Sequence, residues 1–76
     1  MKDKEQVQEL HDAIKSQLDT LPTENAFGES NEQDRRNMKR YLYALGAVLE
    51  GKPAADKDVD GWLDGSDPAM LGDFLL

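Results

Sequence analysis

Residues 32–50, EQDRRNMKRYLYALGAVLE, indicate the fold class more strongly than any other stretch of the chain. Their apolar side chains recur every three or four residues, which is the spacing of one face of an α-helix. The members of this face are Met38, Tyr41, Leu42, Leu45, Val48 and Leu49. Gly51 and Pro53 follow, and both residue types favour the end of a helix. We therefore expect a helix over about 32–50 with a broad apolar face that another element must cover.

A second apolar stripe precedes this helix in the chain. It consists of Val7, Leu10, Ile14, Leu18 and Leu21, again at steps of three and four residues. Asp3 has the side chain of an N-cap, and Pro22 favours a stop, so the stripe predicts a helix over about 3–21. Neither apolar stripe can be buried alone, and two matched stripes predict an all-α domain. The predicted core contains Leu10, Ile14, Leu18, Met38, Leu42, Leu45, Leu49, Trp62, Leu63, Leu71 and Phe74.

The length of 76 residues predicts one small domain over 1–76, with two main helices and a C-terminal loop followed by a short helix. Within it we expect an N-terminal helix over 3–21, a second unit over 23–50 and a third over 56–76. The net charge of −7 excludes a generally basic nucleic-acid binder. The chain has no cysteine and one histidine, His11, which excludes thiolate and multi-histidine metal sites. We therefore expect a non-enzymatic protein without catalytic residues, direct nucleic-acid contacts or a membrane span.

The spacing of aspartates in residues 56–67, DKDVDGWLDGSD, fits the twelve-residue calcium loop that begins D-x-D-x-D-G. A hard cation needs six to eight oxygen ligands, and carboxylates on alternate residues of a tight turn can converge on one point. The predicted calcium ligands are Asp56, Asp58, Asp60, the backbone carbonyl of Trp62, Asp64 and Asp67. Gly61 and the density of aspartates disfavour a helix here. A solvated acidic turn or an Asp-capped short helix remains the alternative.

A shift of the sequence by 33 residues indicates an internal repeat. It places Gly28 on Gly61, Asp34 on Asp67 and Leu42 on Leu75. The chain then reads as two copies of a loop followed by a helix. Thr23 and Phe27 stand where the first loop needs aspartates, so we expect that loop to bind no calcium or to bind it poorly.

Residues 23–76 resemble the dockerin module, a calcium-loop adaptor of cellulosome-type enzymes. Residues 34–42, DRRNMKRYL, resemble the first helix of that family, and the local match is closest over residues 38–42. The resemblance implies calcium as the cofactor and another protein as the partner. The family's recognition positions would fall on Glu32, Gln33, Lys39, Arg40, Gly65 and Ser66. The N-terminal helix is an addition to the family pattern.

A basic cluster of Arg35, Arg36, Lys39 and Arg40 lies near the start of the second helix, where positive charge opposes the helix macrodipole. This placement makes a partner-binding role for the four side chains one hypothesis. The favoured interpretation is that they pair with nearby acids, Glu29, Glu32 and Asp34, or are simply solvated.

Charge is distributed unevenly, with a net −6 over 1–34, +4 over 35–52 and −5 over 53–76. Two hypotheses follow. The first is a calcium-dependent interaction module that resembles dockerin. The second is a small acidic protein, of the kind phages and mobile elements carry, that inhibits a basic nucleic-acid-binding partner by charge mimicry. We expect a cytoplasmic protein if Met1 is the natural start, and an extracellular one if the chain is a module of a secreted enzyme.

Overall fold

The computed structural model describes residues 2–24, 26–65 and 71. It contains three α-helices: α1 over Lys4–Thr20, α2 over Glu32–Leu49 and α3 over Lys57–Asp64. The described residues form no strand, and Glu24 and Ser30 make an isolated antiparallel bridge. The all-α class predicted from the two apolar stripes is confirmed.

Helix α1 begins at a reciprocal cap and ends at a proline. The Asp3 carboxylate accepts a hydrogen bond from the Gln6 amide at 2.8 Å, and the Asp3 amide donates to the Gln6 side chain at 3.0 Å. This capping box satisfies two amide donors in or next to the first turn. At the other end the Leu21 amide bonds the Leu18 carbonyl, and Pro22 follows. The predicted helix over 3–21 therefore agrees with the structure to within one residue at each end.

The connection between α1 and α2 is closed by hydrogen bonds from the backbone and the side chain of Asn31. Asn31 is only 8% exposed; its amide donates to the Thr23 carbonyl and its side chain to the Pro22 carbonyl, at 3.0 and 3.1 Å. Gly28 has a φ of +79°, a conformation that side chains with a Cβ disfavour. The loop thus positions α2 against the apolar side of α1.

The core lies where the three helices meet. Its buried hydrophobic side chains are Val7, Leu10, Ile14, Met38, Tyr41, Ala44, Leu45, Val59, Trp62, Leu63 and Leu71. Leu18, Leu42 and Leu49 pack against this cluster while partly buried. Phe74, the remaining predicted core residue, lies outside the described residues. The predicted packing of α1 against α2 is confirmed.

Helix α3 corrects the sequence-based interpretation of residues 56–67. Lys57–Asp64 is helical, so the predicted loop conformation is wrong over these residues, and the alternative of an Asp-capped short helix is the one observed. Val59, Trp62 and Leu63, at positions i, i+3 and i+4, are all buried. Burial of these three side chains outweighs the cost of about 1 kcal/mol for Gly61 inside a helix.

The two halves of the internal repeat also differ in backbone conformation. Gly28 lies in the α1–α2 loop with a positive φ, whereas Gly61, its counterpart in the shifted sequence, lies inside α3. The sequence repeat is thus not accompanied by a structural repeat at Gly28 and Gly61. No helix in the described part of the chain is long and apolar enough to cross a membrane.

Candidate functional site

Arg40 joins α2 to the start of α3 where the calcium loop was predicted. Its Nε lies 2.7 Å from Asp56 Oδ2, and its Nη2 lies 2.6 Å from Asp58 Oδ2. The Asp56 side chain is only 10% exposed, and its Oδ1 accepts hydrogen bonds from the amides of Asp58 and Val59. Asp56 and Asp58, at the first and third positions of the predicted calcium loop, therefore bind a guanidinium cation, and Asp56 also caps α3.

Among the described residues, Asp60, Asp64 and the Trp62 carbonyl do not form a metal site with Asp56 and Asp58, as the ligands of a calcium loop would. In a helix, residues two apart are rotated by about 200°, so carboxylates on alternate residues diverge. Asp60 and Asp64 are exposed on α3, and the Trp62 carbonyl accepts a hydrogen bond from the Gly65 amide at 3.1 Å. Asp67 lies outside the described residues. Over 2–24, 26–65 and 71, no group of three or more His, Asp or Glu side chains is arranged to hold a metal ion.

Gly65 and Ser66 were predicted as partner-binding residues in the C-terminal segment. Gly65 has a φ of +75° and ends α3 with its amide bonded to the carbonyls of Gly61 and Trp62. This is the left-handed cap that glycine adopts without steric penalty. Ser66 lies outside the described residues.

The basic cluster of α2 divides into tethered and solvent-facing side chains. Arg35 Nη2 donates to the Leu21 carbonyl at 3.4 Å, and its buried Nε has no hydrogen-bond partner within the described residues. Arg36 pairs with Glu32 at 2.6 Å, as the pairing alternative predicted. Arg40 pairs with acids of α3, which that alternative did not include.

Lys39 and Gln33 are exposed on α2. Lys39 makes no ion pair among the residues that the structure describes, and the Gln33 side chain donates to Asn37 at 3.2 Å. Lys39 is therefore a predicted recognition residue that is exposed and has no ion pair within the described part of the chain.

Sequence reasoning missed one large apolar residue on the outer side of α2. Tyr43 is 80% exposed, three residues after Arg40 and four after Lys39. Tyr41, two residues earlier, is only 3% exposed; burial raises its pKa, and the Arg40 guanidinium lies 4.8 Å from its ring centroid. The signal was available, because position 43 falls off the apolar stripe that contains Tyr41 and Leu45.

The outer side of α1 carries a line of exposed carboxylates, which the sequence analysis did not single out. We call it the acidic face, and its members are Glu5, Glu9, Asp12 and Asp19. At 100° per residue the four fall within a wedge of about 80°, opposite the buried stripe. The Asp12 carboxylate bonds His11 at 3.3 Å and Gln8 at 2.9 Å, and these two hydrogen bonds lower its pKa. Asp12 therefore stays ionised to lower pH than an ordinary aspartate.

No protein-family model, curated protein or solved structure matches this chain. The dockerin resemblance therefore stays a prediction from residues 23–76.

Proposed function

We propose that this chain is a non-enzymatic protein-interaction module, and that its acidic face binds a basic, nucleic-acid-binding partner in place of the nucleic acid. The observation that carries this proposal is the alignment of Glu5, Glu9, Asp12 and Asp19 along one side of α1. The net charge of −7 adds a long-range attraction for a basic partner.

The spacing of the acidic face supports charge mimicry. From residue 5 to residue 19 the helix rises about 21 Å. One strand of duplex DNA carries a phosphate about every 3.4 Å, so it offers about six negative charges over the same length. Four carboxylates on α1 therefore reproduce much of the charge of one strand, at a lower density.

The helix presents these charges on a fixed backbone. Its opposite side is anchored by Val7, Leu10 and Ile14, each at most 1% exposed. A pre-ordered helix loses less entropy on binding than a flexible acidic segment does. Lys4 and Lys15 flank the line on one side, so a basic partner would approach the carboxylates from the other.

The test compares two variants of equal net charge. One neutralises the acidic face, as Glu5→Gln, Glu9→Gln, Asp12→Asn and Asp19→Asn. The control neutralises four exposed acids elsewhere, as Glu24→Gln, Asp34→Asn, Glu50→Gln and Asp64→Asn. Binding of a fluorescent arginine-rich peptide is measured by anisotropy at several salt concentrations, after circular dichroism has shown that both variants fold.

We expect the first variant to bind the peptide about tenfold more weakly than the parent, because four exposed ion pairs of a few tenths of a kcal/mol each are lost. The control should lose much less, and the affinity of the parent should fall steeply as salt rises. Equal losses in the two variants would show that only net charge matters, and the acidic face would be rejected as the binding surface.

A calcium-dependent, dockerin-like adaptor is the second candidate. One observation favours it: Asp56 and Asp58 already share a single cation, the Arg40 guanidinium. Calcium would have to displace Arg40 and unwind the first turn of α3, which would free Arg40 beside Lys39 for a protein partner. Melting temperature and Trp62 fluorescence are measured in millimolar calcium and in chelator. A rise in both stability and signal with calcium would support the adaptor, and identical curves would reject it.

A further inference from the structure

A cleft of about 480 Å³ opens where the start of α1, the end of α2 and α3 meet. Its apolar lining comes from all three helices, and charged side chains stand at its rim. The lining residues are Lys2, Lys4, Val7, Val48, Leu49, Glu50, Gly51 and Leu63. Its volume lies within the usual range of small-molecule sites, roughly 300–1,000 Å³.

The floor of the cleft is fixed by the core. Val7 and Leu63 are 1% and 6% exposed, so packing sets their positions and they offer little surface to a ligand. Val48 and Leu49 are partly buried, pack against the same cluster and supply more of the accessible floor. The floor is thus apolar, which favours an aliphatic chain over a polar ligand.

The rim of the cleft is positive where α1 begins. Lys4 is the first residue of α1, where the macrodipole also favours an anion. The amide of Lys2 donates to the Leu63 carbonyl at 3.0 Å, and its Nζ lies 5.5 Å from the Trp62 ring centroid. This backbone bond holds Lys2 beside the cleft, and its ammonium lies over an aromatic ring that can report on it.

The rim also carries carboxylates: Asp3 and Glu5 flank Lys4 in the chain, and Glu50 lines the cleft. Asp3 caps α1 through the Gln6 amide, and Glu50 pairs with Lys52 at 3.1 Å. Salt screens the charges of carboxylates further away, because the Debye length is about 8 Å at physiological ionic strength. Among the lining side chains, the two ammonium groups of Lys2 and Lys4 outnumber the one carboxylate, that of Glu50, so the lining itself has a net positive charge.

We propose that this cleft binds a medium-chain fatty acid, with the aliphatic chain on the Val7, Val48, Leu49 and Leu63 floor and the carboxylate between Lys2 and Lys4. The cleft adjoins the acidic face at Lys4 but shares none of its carboxylates, and the proposal does not depend on the proposed function. The ligand class follows from the combination of an apolar floor with two ammonium groups at one end.

The test uses decanoate below its micelle concentration, with decanol and decyltrimethylammonium as neutral and cationic probes of the same chain length. Binding is followed by Trp62 fluorescence and by the amide chemical shifts of Val7, Val48 and Leu63. Decanoate should give a saturable change at all three amides and should bind at least severalfold more tightly than the other two probes. Equal binding of the three probes, or no saturable change with decanoate, would overturn the proposal.

A pair of charge-matched variants locates the carboxylate. Lys2→Gln with Lys4→Gln should weaken decanoate binding by about fivefold, since two exposed ion pairs are lost. Lys15→Gln with Lys57→Gln removes the same charge from residues that do not line the cleft, and it should leave decanoate affinity within a factor of two. An equal loss in the two variants would assign the effect to net charge and would overturn the placement between Lys2 and Lys4.

Discussion

Helices α1 and α3 both begin at an aspartate, but the two caps are built differently. Asp3 is exposed and bonds only its own helix, through Gln6. Asp56 is 10% exposed in its side chain and bonds both the α3 amides and Arg40 of α2. At 8 residues α3 is well below the length at which an isolated helix persists, about 12–15 residues. The first cap is local, whereas the second also ties a short helix to the rest of the domain.

The sharpest test of this difference is Asp56→Ala. We expect it to lower the free energy of unfolding by about 2–3 kcal/mol, from a lost N-cap of about 1 kcal/mol and a lost charged hydrogen bond of about 1.5 kcal/mol. The melting temperature of a domain of this size should then fall by about 10 °C or more. Urea unfolding followed by Trp62 fluorescence measures the change.

Asp56→Asn separates the two contributions, because asparagine also caps helices but lacks the charge that binds Arg40. It should cost roughly half as much as Asp56→Ala. If Asp56→Ala costs no more than the same change at Asp3, the α3 cap is as local as that of α1 and the comparison fails.

The ends of the two helices provide the second prediction. Helix α3 ends at Gly65 with a φ of +75°, whereas α1 ends at Leu21 with an extended backbone. Gly65→Ala should therefore cost about 1.5 kcal/mol, since a Cβ is strained in the left-handed region even though open space surrounds this position. Thermal unfolding measures the loss.

Gly46→Ala is the matched control for that substitution. Gly46 lies inside α2 with ordinary helical backbone and nothing within 4 Å of an added Cβ. Alanine there should raise stability by up to about 1 kcal/mol, because it favours the helix. A loss of stability at position 46, or none at 65, would contradict the assignment.

Asp3→Ala is the third prediction and the local counterpart of the first. It should cost about 1 kcal/mol, since one exposed cap is lost and α1 keeps its buried stripe. The loss should appear in amide hydrogen exchange as faster exchange of the first turn of α1 alone. Faster exchange in α3 as well would show that the Asp3 cap also supports the tertiary structure.

The sequence predicted α1 and α2 well because each carries a long apolar stripe of period 3.6. In α3 the stripe is reduced to Val59, Trp62 and Leu63, and such a short run does not distinguish helix from loop. The alternating aspartates fit a calcium loop, and the helix that replaces it depends on tertiary contacts. Arg40 is sixteen residues from Asp56, and sequence spacing alone does not reveal that pairing.

The candidate site was predictable only in part. The acidic charges of α1 are visible in the sequence. Their alignment was also predictable, because projecting residues 5, 9, 12 and 19 onto a helix places all four on one face. The burial of Tyr41 was predictable, because Tyr41 belongs to the apolar stripe of α2. The cleft was not predictable, because its floor combines residues from three helices whose relative positions the sequence pattern does not specify.

The smallest expected effect belongs to Asp60→Ala, and it distinguishes the two interpretations of residues 56–67. Asp60 is exposed on α3; Asp56 and Asp58, by contrast, are bound to Arg40. In the capped helix, its removal should change the free energy of unfolding by less than about 0.5 kcal/mol, as for most surface substitutions. In a calcium loop, Asp60 is the ligand at the fifth loop position, so the same substitution should abolish any stabilisation by millimolar calcium. The measurement is a pair of melting curves, in calcium and in chelator, for the parent and for Asp60→Ala. Four superimposable curves would agree with α3 as an Asp-capped helix, whereas a calcium-dependent rise in the parent that Asp60→Ala removes would establish the loop as the calcium-bound form.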